Sequence, residues 1–242
     1  ISVLFGQFGD YGITPKKASF FIHASIVNHY LDGGWYPRGG TGVIANEICK
    51  TIIQHGGEVL VGKKVKNILI TNGKVYGVKM ENGDEILCDT VVSGAGLRTT
   101  FTKLVEPSEK TQIYEDMLDN MPPSVQHMYC FVKLDGNPQK LNLKSCNYWI
   151  YPHGDYDKLV DEFLEDPSNA PMPLFMGFSC MKDTEWSDKY PGYSNAIILT
   201  IAKKEWFDAW EDTRCMKRGS DYDYFKNQIG DRMLEEGLFK YY

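Results

Sequence analysis

The residues with the most chemical promise stand close together. In "WYPRGGTGVIANEI", Trp35 to Ile48, the residues Gly40, Gly42 and Ala45 fall in the order G-x-G-x-x-A, the spelling of a variant dinucleotide fingerprint. A pyrophosphate cradle needs a buried strand ahead of the glycines, so that they turn the chain into a helix N-terminus aimed at the phosphates. The preceding "NHYLDGGWYPR" has no apolar β-run. The motif also wants an acid on the following strand for the ribose hydroxyl, and "EVLVGKKV" carries only lysines past its start. The pattern therefore reads as a look-alike for a diphosphate site. Two readings of the glycines stay open. Gly39, Gly40 and Gly42 lie beside a helix start, where unpaired N–H groups and absent side chains admit the electron-rich edge of a flat ring. Alternatively they form a tight loop that serves only the backbone.

Other chemistry is thinner. His127 and Cys130 make an H-x-x-C, but no second half-site at zinc spacing accompanies them, so no metal is expected. The six cysteines, Cys49, Cys88, Cys130, Cys146, Cys180 and Cys215, contain no C-x-x-C pair and read as reduced thiols. No nucleophile triad is spelled out, and no residue stands out as catalytic. A formal charge of −6 with 24% charged residues lacks the basic surplus that nucleic-acid binding needs, so no nucleic-acid partner is expected. Aromatic residues reach 13%, with 15 Tyr, 12 Phe and 5 Trp, and serve either an ordinary core or the walls of an apolar pocket. No run of about 18 apolar residues is present to span a bilayer.

The elements that must position these residues follow from periodicity. Phe20, Ala24, Val27 and Tyr30 predict a helix within 15–30, with Thr14 as cap and Pro15 at its first position. Ile44, Ile48 and Ile52 lie four apart and predict a helix over about 41–55, stopped by Gly56 and Gly57. From Glu58 the grammar becomes that of strands. "EVLVGKKVKNILI" and the alternating run after it, broken at Asn72-Gly73 and Asn82-Gly83, predict a three-stranded meander with two-residue turns. Thr90 to Val92 then reads as a short buried strand that delivers Ser93, Gly94, Ala95 and Gly96 to a ligand, or as a plain exit into a loop. Pro107 and "MPPS" at 121–124 mark a domain crossing. Beyond it "VQHMYCFVKL", "SCNYWIYP", "PLFMGFSCM" and "NAIILTIA" predict four strands of a largely antiparallel sheet, interrupted by a helix around 155–164. "KKEWFDAW" and "SDYDYFKNQIGDRMLEEGLF" predict helices, the second capped by Ser220 or Asp221.

"GGWYPRGGTGVIANEICKTIIQHGGEVLVGKKVKNILI" followed by "CDTVVSGAGLRTTFTKLV" resembles the FAD-dependent phytoene desaturase and carotenoid isomerase group within the amine-oxidase-like flavoproteins. In that group a P-x-G-G stretch precedes a helix, a glycine pair ends it, a strand with V-x-x-I follows, and "VVS-x-A" closes the meander. "YGITPKKASFFIHASIVNHYLDGGWYPRGG", "SCNYWIYP", "KDTEWSDKYPG" and "KEWFDAWEDTRCMKRGSDYDYFKN" look like its retinol saturase branch. The resemblance implies an α/β (α+β) fold: 1–34 in a substrate or helical region, 35–106 as part of the FAD-binding domain, and 107–242 as part of a substrate domain with an antiparallel sheet. It further implies a slice of a longer enzyme, since the strand, glycine loop and helix that hold the FAD pyrophosphate are not among these residues.

Carried over by position, the resemblance gives Val65 a backbone contact to adenine and puts Ser93, Gly94 and Ala95 near the FAD through the main chain. It turns Pro37, Arg38, Gly39 and Gly40 toward the isoalloxazine. For Arg38 two readings stay open, a cation near the flavin N1 and O2 edge or an exposed ion pair with a nearby carboxylate. Tyr129, Phe131, Tyr148, Trp149, Phe175 and Phe178 are the expected lining for an apolar polyene such as a retinoid, although strand alternation requires that some of them pack the sheet instead. The implied activity is saturation of a polyene double bond, with NAD or NADP as electron donor. A carotenoid desaturase or isomerase is the nearest alternative. A lipid-binding escort of the Rab GDP-dissociation-inhibitor kind is the non-catalytic one. The resemblance also implies association with the endoplasmic reticulum membrane through a peripheral contact.

Overall fold

The computed structural model describes residues 2–121 and 124–242; Pro122 and Pro123 of the "MPPS" punctuation lie outside the described residues. Contacts divide the chain into Ile48–Pro123 and a second unit made of Ile1–Glu47 with Ser124–Tyr242. The first division falls inside the helix Gly42–Gln54.

In the unit 48–123, β-formers on either side of the turns build an antiparallel meander of β1 (Val65–Thr71), β2 (Lys74–Met80) and β3 (Glu85–Leu87). Thr71 faces Lys74, so Asn72 and Gly73 form a two-residue turn with both residues left-handed, at φ 50° and 74°. The second turn is one residue longer than expected. Met80 N–H donates to Asp84 O at 2.8 Å, and Gly83 N–H donates to Met80 O at 3.1 Å. Two expected strands are corrected here. Residues 58–61 and 90–92 form no strand, and Val92 is 94% exposed. A buried strand is held by ladders along its edges, and no described strand runs beside either segment. A helix that periodicity did not reveal, Glu109–Asp119, starts at a reciprocal cap: Ser108 N–H donates to Thr111 Oγ1 at 2.7 Å, and Thr111 N–H donates to Ser108 Oγ at 3.3 Å.

The other unit is organised by a four-stranded antiparallel sheet of β4 (Gln126–Asp135), β5 (Tyr148–Ile150), β6 (Leu174–Gly177) and β7 (Tyr193–Ala202), in the order β4-β7-β6-β5. Alternation sorts its two faces. Ser194, Ala196, Ile198, Thr200 and Ala202 of β7 are all buried, and on the same face lie Met128, Cys130, Val132 and Leu134 of β4 with Leu174 and Met176 of β6. The helix Ser220–Met233, continued through a wider turn at Leu234–Leu238, covers this face with Ile229, Met233 and Leu238. The helix Tyr156–Glu165 adds Phe163 to the same cluster. It starts where Asp155 accepts from Lys158 N–H at 3.2 Å. Each such side chain contributes about 1.5–3 kcal/mol when fully buried.

Three boundaries differ from periodicity. The first long helix is Phe20–His29, because Thr14 O is taken up by a turn through Lys17 and Ala18 and the helix begins only after Ser19. "KKEWFDAW" winds as a tighter 3-10 helix, Lys204–Trp210. The last long helix is preceded by Gly219, at φ 94°, with no side-chain cap from Ser220 or Asp221.

Candidate functional site

The glycine segment comes first. Residues 33–37 are unpaired coil and the helix begins at Gly42, so the G-x-G-x-x-A does not join a strand to a helix and the diphosphate reading is ruled out. What holds the segment is a clamp from 183–189. Gly39 N–H donates to Asp183 Oδ1 at 2.8 Å, Lys189 Nζ donates to Gly39 O at 3.0 Å, and Arg38 Nε donates to Glu185 Oε1 at 2.8 Å. Asp183 Oδ1 also accepts from Glu185 N–H at 3.0 Å, an Asx turn that fixes the carboxylate. Gly39 and Gly40 sit at φ 89° and 88°, where an L side chain is strained. A Cβ on Gly39 would also meet Lys189 Nζ at 3.0 Å and Val43 Cγ1 at 3.1 Å.

Charge follows this geometry. Desolvation alone would push the Asp183 carboxyl up, but the two N–H donors and the Lys189 and Arg38 charges outweigh it and hold it below its ordinary value. Hydrogen bonds from Lys189 and Arg38 hold Glu185 down as well. Arg38 is thus engaged by a carboxylate, at an exposed site.

The aromatic set divides by strand parity. Opposite residues share a face, so Tyr129 with Leu199, Phe131 with Ile197, and Phe175 with both Leu199 and Trp149 form one continuous apolar surface. It is open: Tyr129 is 53% and Phe131 77% exposed. Tyr148 and Phe178 belong to the opposite face and are corrected as lining residues. Phe178 is fully buried in the core, and Tyr148 meets it edge-on at 6.2 Å. The same parity separates His127 from Cys130, which point to opposite faces and do not make a metal half-site.

The turn Gly6–Asp10 lies over one end of the open face and borders a half-open cavity of about 290 Å³, whose walls include Phe8, Gly9, Tyr129, Trp149, Phe175 and Leu199. Asp10, His127 and Thr200 are among its polar members. Burial pushes the Asp10 carboxyl up, against a hydrogen bond from Tyr30 and the charge of His29, and burial pushes the His127 imidazole down. At the other end, Phe131, Trp186, Lys189 and Tyr190 border a second groove. Lys189 therefore both walls this groove and holds the Gly39 carbonyl, which ties the glycine segment to the aromatic sheet.

In the unit 48–123, Val65 opens β1 opposite Met80. Ser93 Oγ hydrogen-bonds Thr100 Oγ1 at 2.7 Å and lines a cavity beside β1 and β2, while Gly94 and Ala95 stand exposed in the loop. Sequence reasoning missed Asp183, Glu185 and Lys189 as a clamp, and Gly9 and Asp10 as a rim. The signals were there, in "KDTEWSDK" for an Asx turn and in "FGQFGDYG" for a close-packed bend.

A profile of the family described as flavin containing amine oxidoreductase matches residues 4–215. The chain belongs to that family. Within the curated proteins it is similar to the all-trans-retinol 13,14-reductase of Macaca fascicularis, 36% identical over 98% of this chain and 40% of that protein. It is similar as well to the chloroplastic prolycopene isomerase of Daucus carota, 36% identical over 90% of this chain and 33% of that protein. A crystal structure of an oxidoreductase from Methanosarcina mazei superposes with a TM-score of 0.56 at 18% identity, covering 83% of this chain and 39% of that one, a likeness of fold alone. The chain thus spans about 40% of the length of the reductase it matches.

The family is a flavin-containing one, and the glycine segment fits a flat ring. Nothing lies within 4 Å of a Cβ built on Gly42, and on Gly40 only Asp183 Oδ2 does, at 3.6 Å, so a ring edge has room to approach the main chain at the helix start. Gly94 is equally open.

Proposed function

We propose that this chain is part of an FAD-dependent oxidoreductase that saturates one double bond of a retinoid, converting all-trans-retinol to 13,14-dihydroretinol, or acts on a related polyene. The observation that carries the reading is the open aromatic face of the four-stranded sheet, bordered at one end by the element that grips the glycine segment. The similarity to retinol reductases over nearly the whole chain supports the choice of substrate.

Saturation adds two electrons and two protons across the bond, and bound FAD would supply that redox chemistry, recharged by NAD or NADP in its reduced form. The protein's work is binding, orientation and exclusion of water. Pro37, Arg38, Gly39 and Gly40 would lie against the isoalloxazine, Val65 would offer its backbone to the adenine, and Ser93, Gly94 and Ala95 would approach the cofactor through the main chain. Tyr129, Phe131, Trp149 and Phe175 would hold the polyene. Such a substrate dissolves in membranes, which supports a peripheral membrane contact, one that the family resemblance would place at the endoplasmic reticulum, while the formal charge of −6 supports the expectation of no nucleic-acid partner.

The test uses the full-length protein, loaded with FAD and incubated with all-trans-retinol and a reductant. Chromatography is expected to show 13,14-dihydroretinol. Bound flavin without that product rejects the substrate, and a desaturated or isomerised carotenoid in its place supports the carotenoid reading. A colourless full-length protein that binds polyenes supports the lipid escort.

A further inference from the structure

One contact in the cavity under the Gly6–Asp10 turn is very close. A Cβ built on Gly9 would stand 2.3 Å from Cζ3 and 2.7 Å from Cη2 of Trp149, so the glycine main chain rests directly on the six-membered ring of the indole. Behind it, Trp149 meets Phe175 edge-on with centroids 4.9 Å apart and stacks on Tyr151 at 6.4 Å. Tyr151 is in turn tied to the turn by its hydroxyl, which donates to Gly6 O at 2.6 Å. Gly9, Phe175 and Tyr151 thus restrict the indole's movement.

Resting on the functional reading above, we propose that Trp149, braced by Gly9, is the stop that sets the length of polyene the enzyme accepts. A ligand lying along the open face fits between the Gly6–Asp10 turn and the sheet only where the two are apart, and at Gly9 and Trp149 they touch. The cavity that Gly9 and Trp149 both line, about 290 Å³, is at the small end of ligand pockets, roughly 300–1,000 Å³. It suits the end of a retinoid. A carotenoid of twice the carbon count must pass the indole. Gly9 is required at this position because any side chain there drives into the ring.

The experiment measures equilibrium binding by the full-length, FAD-loaded protein of all-trans-retinol and of lycopene, each presented in the same detergent micelles, through the circular dichroism induced in the bound polyene. The unaltered protein is expected to prefer retinol by about tenfold or more, and Trp149→Ala is expected to close that gap by gaining lycopene. Trp149→Phe, which keeps a ring against Phe175 if the alanine variant loses its flavin, is expected to fall between them. Gly9→Val is expected to weaken retinol without gaining lycopene, because it pushes the indole into the cavity. An unchanged ratio in both Trp149 variants, or an equal loss of both ligands, overturns the stop. Binding needs no turnover, so retinol bound with the expected selectivity but never reduced rejects the functional reading and leaves the stop standing. Reduction of retinol with unaltered selectivity in the variants does the reverse, and failure of the unaltered protein to bind either polyene overturns both.

Discussion

Asp183 carries more structural duty than any other polar side chain around the glycine segment. Its Oδ1 accepts from two main-chain N–H groups, of Gly39 and Glu185, and the residue is buried. Truncation to alanine leaves both donors without that partner, and the expected cost is about 1–3 kcal/mol, read as a shift in the denaturant midpoint. The acid limb of stability provides a sharper check. A carboxyl held below its ordinary 3.8 favours folding wherever the unfolded chain is ionised, and that contribution is lost as pH falls through the depressed folded value. Asp183→Asn removes it, so the unaltered protein should lose stability more steeply below about pH 4 than the variant does. Parallel curves would show that the clamp contributes nothing. Arg38 is the contrasting case, because its pair with Glu185 is exposed. Arg38→Gln should change stability by no more than about 0.5 kcal/mol, so a fall in activity in the flavin-loaded full-length enzyme would report on the cofactor and not on folding.

At the scale of elements, parity along the strands makes a contrast between two phenylalanines. Phe178, just past β6, is fully buried, and alanine there should cost about 3–5 kcal/mol. Phe131, on the open side of β4, is 77% exposed, and alanine there should cost less than about 0.5 kcal/mol while weakening polyene binding. Equal midpoints for the two variants in thermal melts would refute the assignment of faces. The four strands and the helix after Asp155 were legible in the sequence, because β-branched and aromatic runs separated by loops have few other solutions. Which aromatic residues share a face was not. Tyr148 and Trp149 are neighbours, and only the register that sets Trp149 opposite Phe175 decides which of them looks outward. Residues 58–61 and 90–92 read as strands because composition reports what a segment would form beside a partner, and pairing is a long-range property that composition does not contain. The clamp stayed hidden for the same reason: Gly39 and Asp183 are 144 positions apart.

At the scale of the whole chain, the sequence pattern and the surface disagree in an instructive way. Ile44, Ile48 and Ile52 form the apolar stripe their spacing predicted, yet they lie exposed, Ile48 at 56%. Val59, Leu60 and Val61 are exposed too. An apolar stripe of this kind normally faces a core, and among the described residues nothing buries it. The same logic governs the cofactor. Both described sheets are antiparallel, and no described strand leads into a glycine loop and helix, the arrangement that neutralises a pyrophosphate. Under the proposed function, what the glycine segment would offer a flavin is main-chain edge at Gly40 and Gly42, which would contribute contact and shape but little compensation for two negative charges. The 242 residues alone are therefore expected to bind FAD weakly, with a dissociation constant well above about 1 μM, while the full-length protein retains the cofactor through gel filtration. Quenching of flavin fluorescence titrated with each protein measures both. Micromolar or tighter binding by the 242 residues would show that they offset the diphosphate charge without such a loop, and the expectation of weak binding would fail.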